Sequence, residues 1–371
     1  MKTKAAVNWG VGQDWSIEEL VLDDPKHGEV LVKLAASGLC HSDEHILTGD
    51  MPVPGYPYIG GHEGAGVVEK VGPGVESLKV GDHVVLSFIP ACGRCKMCST
   101  GHQNLCDLGA GILEGMQITD GTSRHHVKGD DARLMCVLGT FAPYTVINEA
   151  SAVKIDDDIP LQLAALVGCG VTTGWGSAVN SAEVKPGDVV VVVGVGGIGS
   201  NAVQGARIAG AKYIVAVDPV EFKRENAQAF GATHTAASIE EAFPLVQQLT
   251  RGAMADAVIY TAGVVEGALI AGIMALTTKG GTAVVTGIGH GSQLDVTMSL
   301  FDLTLSQKRL QGSLFGSANP RADIPRLLSL YQNGQLKLNE LVTKTYSLED
   351  INQGYQDMRD GKNIRGVVVY D

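Results

Sequence analysis

Two rhythms of apolar and polar residues divide the chain. In the first part the apolar positions come in short β-branched runs, at residues 30–32, residues 67–71 and His83–Leu86. Gly72-Pro73-Gly74 and Val80-Gly81-Asp82 fall beside these runs, a pattern that predicts a mostly-β region of strands and tight turns. Later the pattern changes. Val189–Val193 is an unbroken valine run, the mark of a strand covered on both faces, and residues 198–209 place Ala202, Val203, Ala206 and Ala209 on one helical face before Gly210. Tyr213–Val217, Glu221–Phe230, residues 256–260, residues 266–276 and residues 282–286 then alternate between strand and helix. This alternation predicts an α/β domain on an open, doubly wound parallel sheet. Beyond Phe315 it stops, leaving a helix at residues 324–331 and a last strand at residues 366–370 that is expected to return to the first domain. The expected division is 1–170, 171–315 and 316–371.

The turn after the valine strand holds Gly194, Gly196 and Gly199 in GxGxxG spacing, with Gly197 and Ile198 between them. The first glycine permits a tight turn, the second lets backbone approach a pyrophosphate, and the third lets helix pack on strand. The helix N-terminus that follows favours an anion. Asp218, at the end of the second strand, stands where an acid accepts hydrogen bonds from a ribose and repels a 2′-phosphate, so NAD is expected rather than NADP. Thr261-Ala262-Gly263 and Gly287-Ile288-Gly289 end the later strands at the same edge of the sheet.

Composition narrows the function. At 371 residues two domains are expected, and the 48 glycines accompany no low-complexity run. A net charge of -12 without a basic stripe argues against nucleic-acid binding. No signal peptide or membrane span is visible, so a soluble cytoplasmic protein is expected, and its seven cysteines read as metal ligands or reactive thiols before disulfides.

Cys92, Cys95, Cys98 and Cys106 form C-x2-C-x2-C-x7-C, a spacing that can close a tetrahedron around a structural zinc; two disulfides or free thiols are the alternative. His102 lies between the last two and is set aside, since four thiolates suffice. Residues 117–133 are polar and aperiodic and read as an exposed excursion, with His125 and His126 on opposite sides of an extended chain and both solvated; Cys136 reads as a buried thiol. Cys40-His41-Ser42-Asp43, Gly61-His62-Glu63-Gly64 and the glycine-dense segment holding Cys169 are further polar clusters, the last expected at the junction of the domains. Spacing alone cannot join Cys40, His62 and Cys169. As chemistry, two thiolates and an imidazole would leave zinc an open fourth position, while buried thiols and a satisfied core histidine remain the alternative.

Gly61-His62-Glu63, the four-cysteine lobe, Gly168-Cys169-Gly170 and the glycine fingerprint, in this order, resemble the zinc-dependent medium-chain alcohol dehydrogenases over essentially the whole chain. Residues 87–93, residues 101–107 and residues 218–223 most resemble the nicotinoprotein branch, which is assayed with N,N-dimethyl-4-nitrosoaniline and associated with the redox peptide mycofactocin. The resemblance implies a GroES-like catalytic domain beside a Rossmann domain, and two zinc ions per chain. It also implies an NAD(H) retained through turnover, primary alcohols and aldehydes as substrates, and a homo-oligomer. Catalytic zinc would sit on Cys40, His62 and Cys169, with Asp43 behind the histidine and Glu63 close to the metal as an alternate ligand. Ser42 would take the alcohol proton and relay it through the ribose hydroxyls to His45 and solvent. His41 and Arg365 would approach the phosphates, Thr173 the nicotinamide and Lys223 the adenosine ribose, with Gly287, Ile288 and Phe315 also counted as cofactor contacts. For Lys223 and Arg365 a solvated surface charge is the alternative.

Two other readings compete. A glutathione-dependent formaldehyde dehydrogenase shares the zinc sites, but residues 107–111 offer no cation for the glutathione carboxylate, and that family generally lacks a histidine at position 45. A non-enzymatic member of the reductase superfamily needs no open zinc site, against which Cys40, Ser42, His62, Glu63 and Cys169 together speak.

Overall fold

Antiparallel pairing organises the first of the two units of the computed structural model, which describes residues 1–371. This unit comprises Met1–Cys169, Asn319–Gly334 and Leu338–Asp371. The valine runs of the opening are parts of longer strands: Glu29–Gly38 pairs with Gly64–Val71, Val32 opposite Val68, and His83–Leu86 continues the sheet. Val30, Val32, Leu34, Val68, Val84 and Leu86 bury one shared apolar face, as β-branched residues on a pleated surface do. On the other edge of Glu29–Gly38 lies the last strand, Arg365–Val369, antiparallel with Val368 opposite Ser37. The end of the chain is thus hydrogen-bonded to the strand that leads into Cys40.

Residues 117–133 do not form the exposed excursion expected of them. Gln117, Ser123, Arg124 and His125 are buried, and His125–Val127 pairs antiparallel with Ser16–Leu22. The cause is charge pairing. Arg124, fully buried, donates from Nε and Nη2 to the two oxygens of buried Glu29 at 2.9 and 2.8 Å, and again from Nη2 to Asp120 at 2.9 Å. Polar residues enter a core when every charge finds a partner, and composition does not reveal the partner. The two histidines do point to opposite sides. His126 faces outward between Asp23 and Asp131, whereas His125 lies inside with Nε2 accepting the Val146 N–H at 3.4 Å and 3.1 Å from the Thr145 hydroxyl.

The second unit, Gly170–Ala318 with Gln335–Lys337, is a six-stranded parallel sheet. Its strands stand in the order His234–Ala236, Tyr213–Val217, Val189–Val193, Ala255–Tyr260, Thr277–Val285 and Arg309–Gly312. The chain builds outward from the valine strand in one direction and then the other, which opens a crevice at its C-terminal end. All five valines are buried, and Val191, Val215, Val258 and Ala283 share one core. The helices Ile239–Leu249 and Leu300–Leu305 and the strands His234–Ala236 and Arg309–Gly312 were not expected: the strands are three and four residues long without apolar alternation, and the longer helix carries Pro244 in its body. No helix in the protein is long and apolar enough to cross a membrane.

Burial of His125, aided by repulsion from His126 and Arg124, drives its imidazole down to about 3. The unfolded chain binds this proton first, so the stability contributed is complete above pH ~6.5 and is lost as pH falls from there toward 3. Urea unfolding of wild type and His125→Asn between pH 6.5 and 4.5 should give wild type the steeper loss, by up to about 1.4 kcal/mol per pH unit. Equal slopes would mean that the imidazole is not buried in its neutral form.

Candidate active site

Cys40 ends an extended segment and is the N-cap of the helix His41–Thr48, so its sulfur sits at the positive end of that helix. Asp43, in the first turn and fully buried, reaches the next loop: Oδ1 accepts the Gly61 N–H at 2.7 Å, and Oδ2 lies 3.1 Å from His62 Nδ1. That charge contact faces Nδ1 toward the carboxylate and leaves Nε2 as the nitrogen available to ligate. Cys169 comes from the glycine-flanked end of the first unit. The ligand atoms of Cys40, His62, Glu63 and Cys169 all lie within 4.8 Å of one another, and all four residues are buried. The set left open by spacing is therefore one cluster, and the reading of isolated core residues falls away.

The hydrogen bond from the Cys169 thiol holds Cys40 well below the usual thiol range, and the same bond, with burial, pushes Cys169 well above it. Burial opposes a charge on His62, but the Asp43 carboxylate and the Cys40 sulfur outweigh it and raise the imidazole. Burial likewise raises Glu63 against the pull of Arg365. Arg365 is itself buried, ion-paired to Glu63 and donating to the Leu39 carbonyl at 3.0 Å. Its burial excludes the solvated surface charge. Two thiols and an imidazole in one dry pocket are donors that suit zinc, with a fourth place left for a small oxygen ligand or the Glu63 carboxylate.

The four-cysteine lobe is a second such cluster. Its sulfurs lie within 4.8 Å of one another, with Cys92 and Cys98, and Cys95 and Cys106, each 4.0 Å apart. A tetrahedron with ~2.3 Å zinc–sulfur bonds has edges of about 3.8 Å. The Cys95, Cys98 and Asp107 N–H groups point at sulfurs of the lobe at 3.3 to 3.5 Å, as expected around thiolates, and no disulfide joins any pair.

In the second unit the helix after the valine strand is Gly197–Ile208. Gly194 has φ +86°, a Cβ at Gly199 would overlap the Gly194 carbonyl, and a Cβ at Gly196 would meet nothing within 4 Å. Gly196 thus borders open space, as a pyrophosphate cradle requires. Asp218 is 5% exposed and accepts the Val195 and Val220 N–H groups at 3.0 and 2.9 Å. Thr173 is buried, and its hydroxyl has no hydrogen-bond partner. The open cradle and this unsatisfied hydroxyl fit a dinucleotide. Gly287 and Ile288 follow the strand that ends at Val285, Phe315 is buried, and Lys223 stands half-buried in the helix Glu221–Phe230.

Ser42 Oγ lies 3.6 Å from Cys40 Sγ. His41 stacks edge-on to His45, ring centres 5.2 Å apart, and His45 is nearly fully buried with Nδ1 3.2 Å from Asp50 Oδ2. Asp50 escapes sequence reasoning; its only signal is a helix-ending Gly49 before an acid.

Residues 26–157 match the family described as alcohol dehydrogenase GroES-like domain, and residues 197–333 match the zinc-binding dehydrogenase family. The chain is 52% identical over 370 residues to alcohol dehydrogenase B of Mycobacterium tuberculosis, covering 100% of this chain and 99% of that one. It is 55% identical over 370 residues to the NDMA-dependent alcohol dehydrogenase of Amycolatopsis methanolica, with the same coverage. Among solved structures, benzyl alcohol dehydrogenase of Acinetobacter calcoaceticus superposes with a TM-score of 0.92 at 31% identity, covering 100% of both chains.

Because Asp43 holds the His62 ring, Asp43→Asn should weaken zinc at the Cys40–His62–Cys169 set by about 10- to 100-fold. Chelator competition measures it; unchanged affinity would mean that the ring is held by packing alone.

Proposed function

The chain belongs to the zinc-dependent medium-chain alcohol dehydrogenases, and from that membership we propose that it interconverts primary alcohols and aldehydes with an NAD(H) that stays bound through turnover. An external electron carrier, such as mycofactocin, would reoxidise the nucleotide. The observation that carries the chemistry is the buried donor set of Cys40, His62 and Cys169, with Glu63 beside it. Retention of the nucleotide is supported by the 55% identity to the NDMA-dependent enzyme.

Zinc, when bound, acidifies the alcohol's hydroxyl, and NAD+ accepts the hydride from its carbon. The protein's own groups do the rest. Cys40, His62 and Cys169 hold the ion, and Glu63, with its charge met by Arg365, is the alternate ligand. Asp43 keeps the imidazole in the ligating tautomer. Ser42 takes the hydroxyl proton, and His45 receives it in turn. Gly194, Gly196 and Gly199 shape the pyrophosphate loop, and Asp218 favours NAD over NADP. The lobe cysteines hold a second, structural zinc. We also expect a homo-oligomer: Leu300, Phe301 and Leu305 are 69–77% exposed on the helix Leu300–Leu305, beside the edge strand Arg309–Gly312.

Denaturing freshly purified protein should release about one NAD or NADH per chain, and alcohol turnover should depend on an artificial electron acceptor. Ready oxidation by added NAD alone would return the protein to the ordinary exchanging dehydrogenases. Activity on formaldehyde that rises strongly with glutathione would favour the other reading.

Metal analysis should find two zinc ions per chain in wild type, and one in Cys169→Ala with turnover abolished. A single zinc in active wild type would contradict the two-site assignment.

A further inference from the structure

We propose that Asp50 is the exit for the substrate proton, taking it from His45 Nδ1 and delivering it to water; this rests on the alcohol-oxidation reading above. The difficulty it resolves is burial. His45 is 2% exposed and so has no direct opening to bulk water, whereas 24% of the Asp50 side chain is exposed, 3.2 Å from His45 Nδ1. The local backbone brings the two together. Gly49 ends the helix His41–Thr48 in the left-handed conformation, φ +82°, and the Met51 N–H returns to the His45 carbonyl at 3.0 Å, folding Asp50 back over the last helical turn. Thr48 Oγ1 donates to the same Asp50 oxygen at 2.7 Å and fixes the carboxylate.

Facing a carboxylate, Nδ1 carries the hydrogen in the resting imidazole, so Nε2 is the atom that accepts the incoming proton. As the alcohol carbon gives its hydride to NAD+ and is oxidised, its O–H proton passes by Ser42 to Nε2. The Nδ1–H bond then breaks toward Asp50 Oδ2, and the carboxylic acid loses its proton to water. The ring is left protonated on Nε2, the wrong tautomer for another passage. A bound NADH that reduces an organic acceptor by hydride plus proton runs the same bonds backward and restores Nδ1–H. Asp50 is in this sense a positioning and proton-release residue that acts through His45.

The experiment compares wild type, Asp50→Ala, Asp50→Glu, His45→Gln and the Asp50→Ala/His45→Gln double variant in one alcohol oxidation without acceptor. NADH absorbance and an indicator dye record hydride transfer and proton release. Wild type is first assayed for bound nucleotide; where it holds none, NAD is added, so retention can fail while the proton path is still measured. Asp50→Ala should slow both signals about 10- to 100-fold with little change in KM, Asp50→Glu should recover part of the rate, and the double variant should be no slower than His45→Gln. Imidazole ¹⁵N shifts, assigned by the signal missing in His45→Gln, should show Nδ1–H in wild type and its loss in Asp50→Ala. A rate within twofold of wild type in Asp50→Ala, losses that multiply in the double variant, or an Nε2–H tautomer in wild type would overturn the proposal.

Discussion

The first unit depends on how a buried cluster of electron donors is kept from flying apart. Cys40, Cys169 and Glu63 all carry or share negative charge in a region from which water is excluded, where an uncompensated ion is costly. Three arrangements lower that cost. The Cys169 thiol donates to the Cys40 sulfur, His62 is held toward the positive form by Asp43, and Arg365 lies against Glu63. A divalent ion among these donors would complete the compensation. In the same pocket a substitution that removes one charge and leaves its partner carries a cost in stability.

The Arg124–Glu29 pair shows the same principle without a metal. There a polar stretch is drawn into the sheet because a guanidinium and a carboxylate meet in a two-pronged contact. In both places the chain buries polar chemistry only in matched sets. The glycine loop of the second unit works differently, offering backbone N–H groups, the open space over Gly196 and an unsatisfied Thr173 hydroxyl, and so waits for an anion and a ring.

Legibility in the sequence followed the range of the interaction. The valine strand, the glycine fingerprint and the four cysteines could be read because each is a local pattern, and the structure forms the strand and gathers the cysteines in the expected places. The doubly wound sheet was likewise visible in its alternation, apart from the short strands at His234–Ala236 and Arg309–Gly312 and the helices at Ile239–Leu249 and Leu300–Leu305, whose patterns are too weak. The joining of Cys40, His62 and Cys169 lay beyond spacing and needed the family likeness. His125 was misjudged because burial there is decided by Glu29, nearly a hundred positions away in sequence. Asp50 could not be seen, since only the turn at Gly49 brings it to His45.

The last strand has a bearing on how the protein is made. Arg365 lies close to the C-terminus, yet it neutralises a carboxylate whose neighbours are laid down early, and its strand borders the one that leads into Cys40. During synthesis, therefore, the thiols and Glu63 emerge well before their counter-charge, and the charges of the pocket are matched only once Arg365 has joined the sheet. A chain interrupted before Arg365 would leave Glu63 buried without its counter-charge.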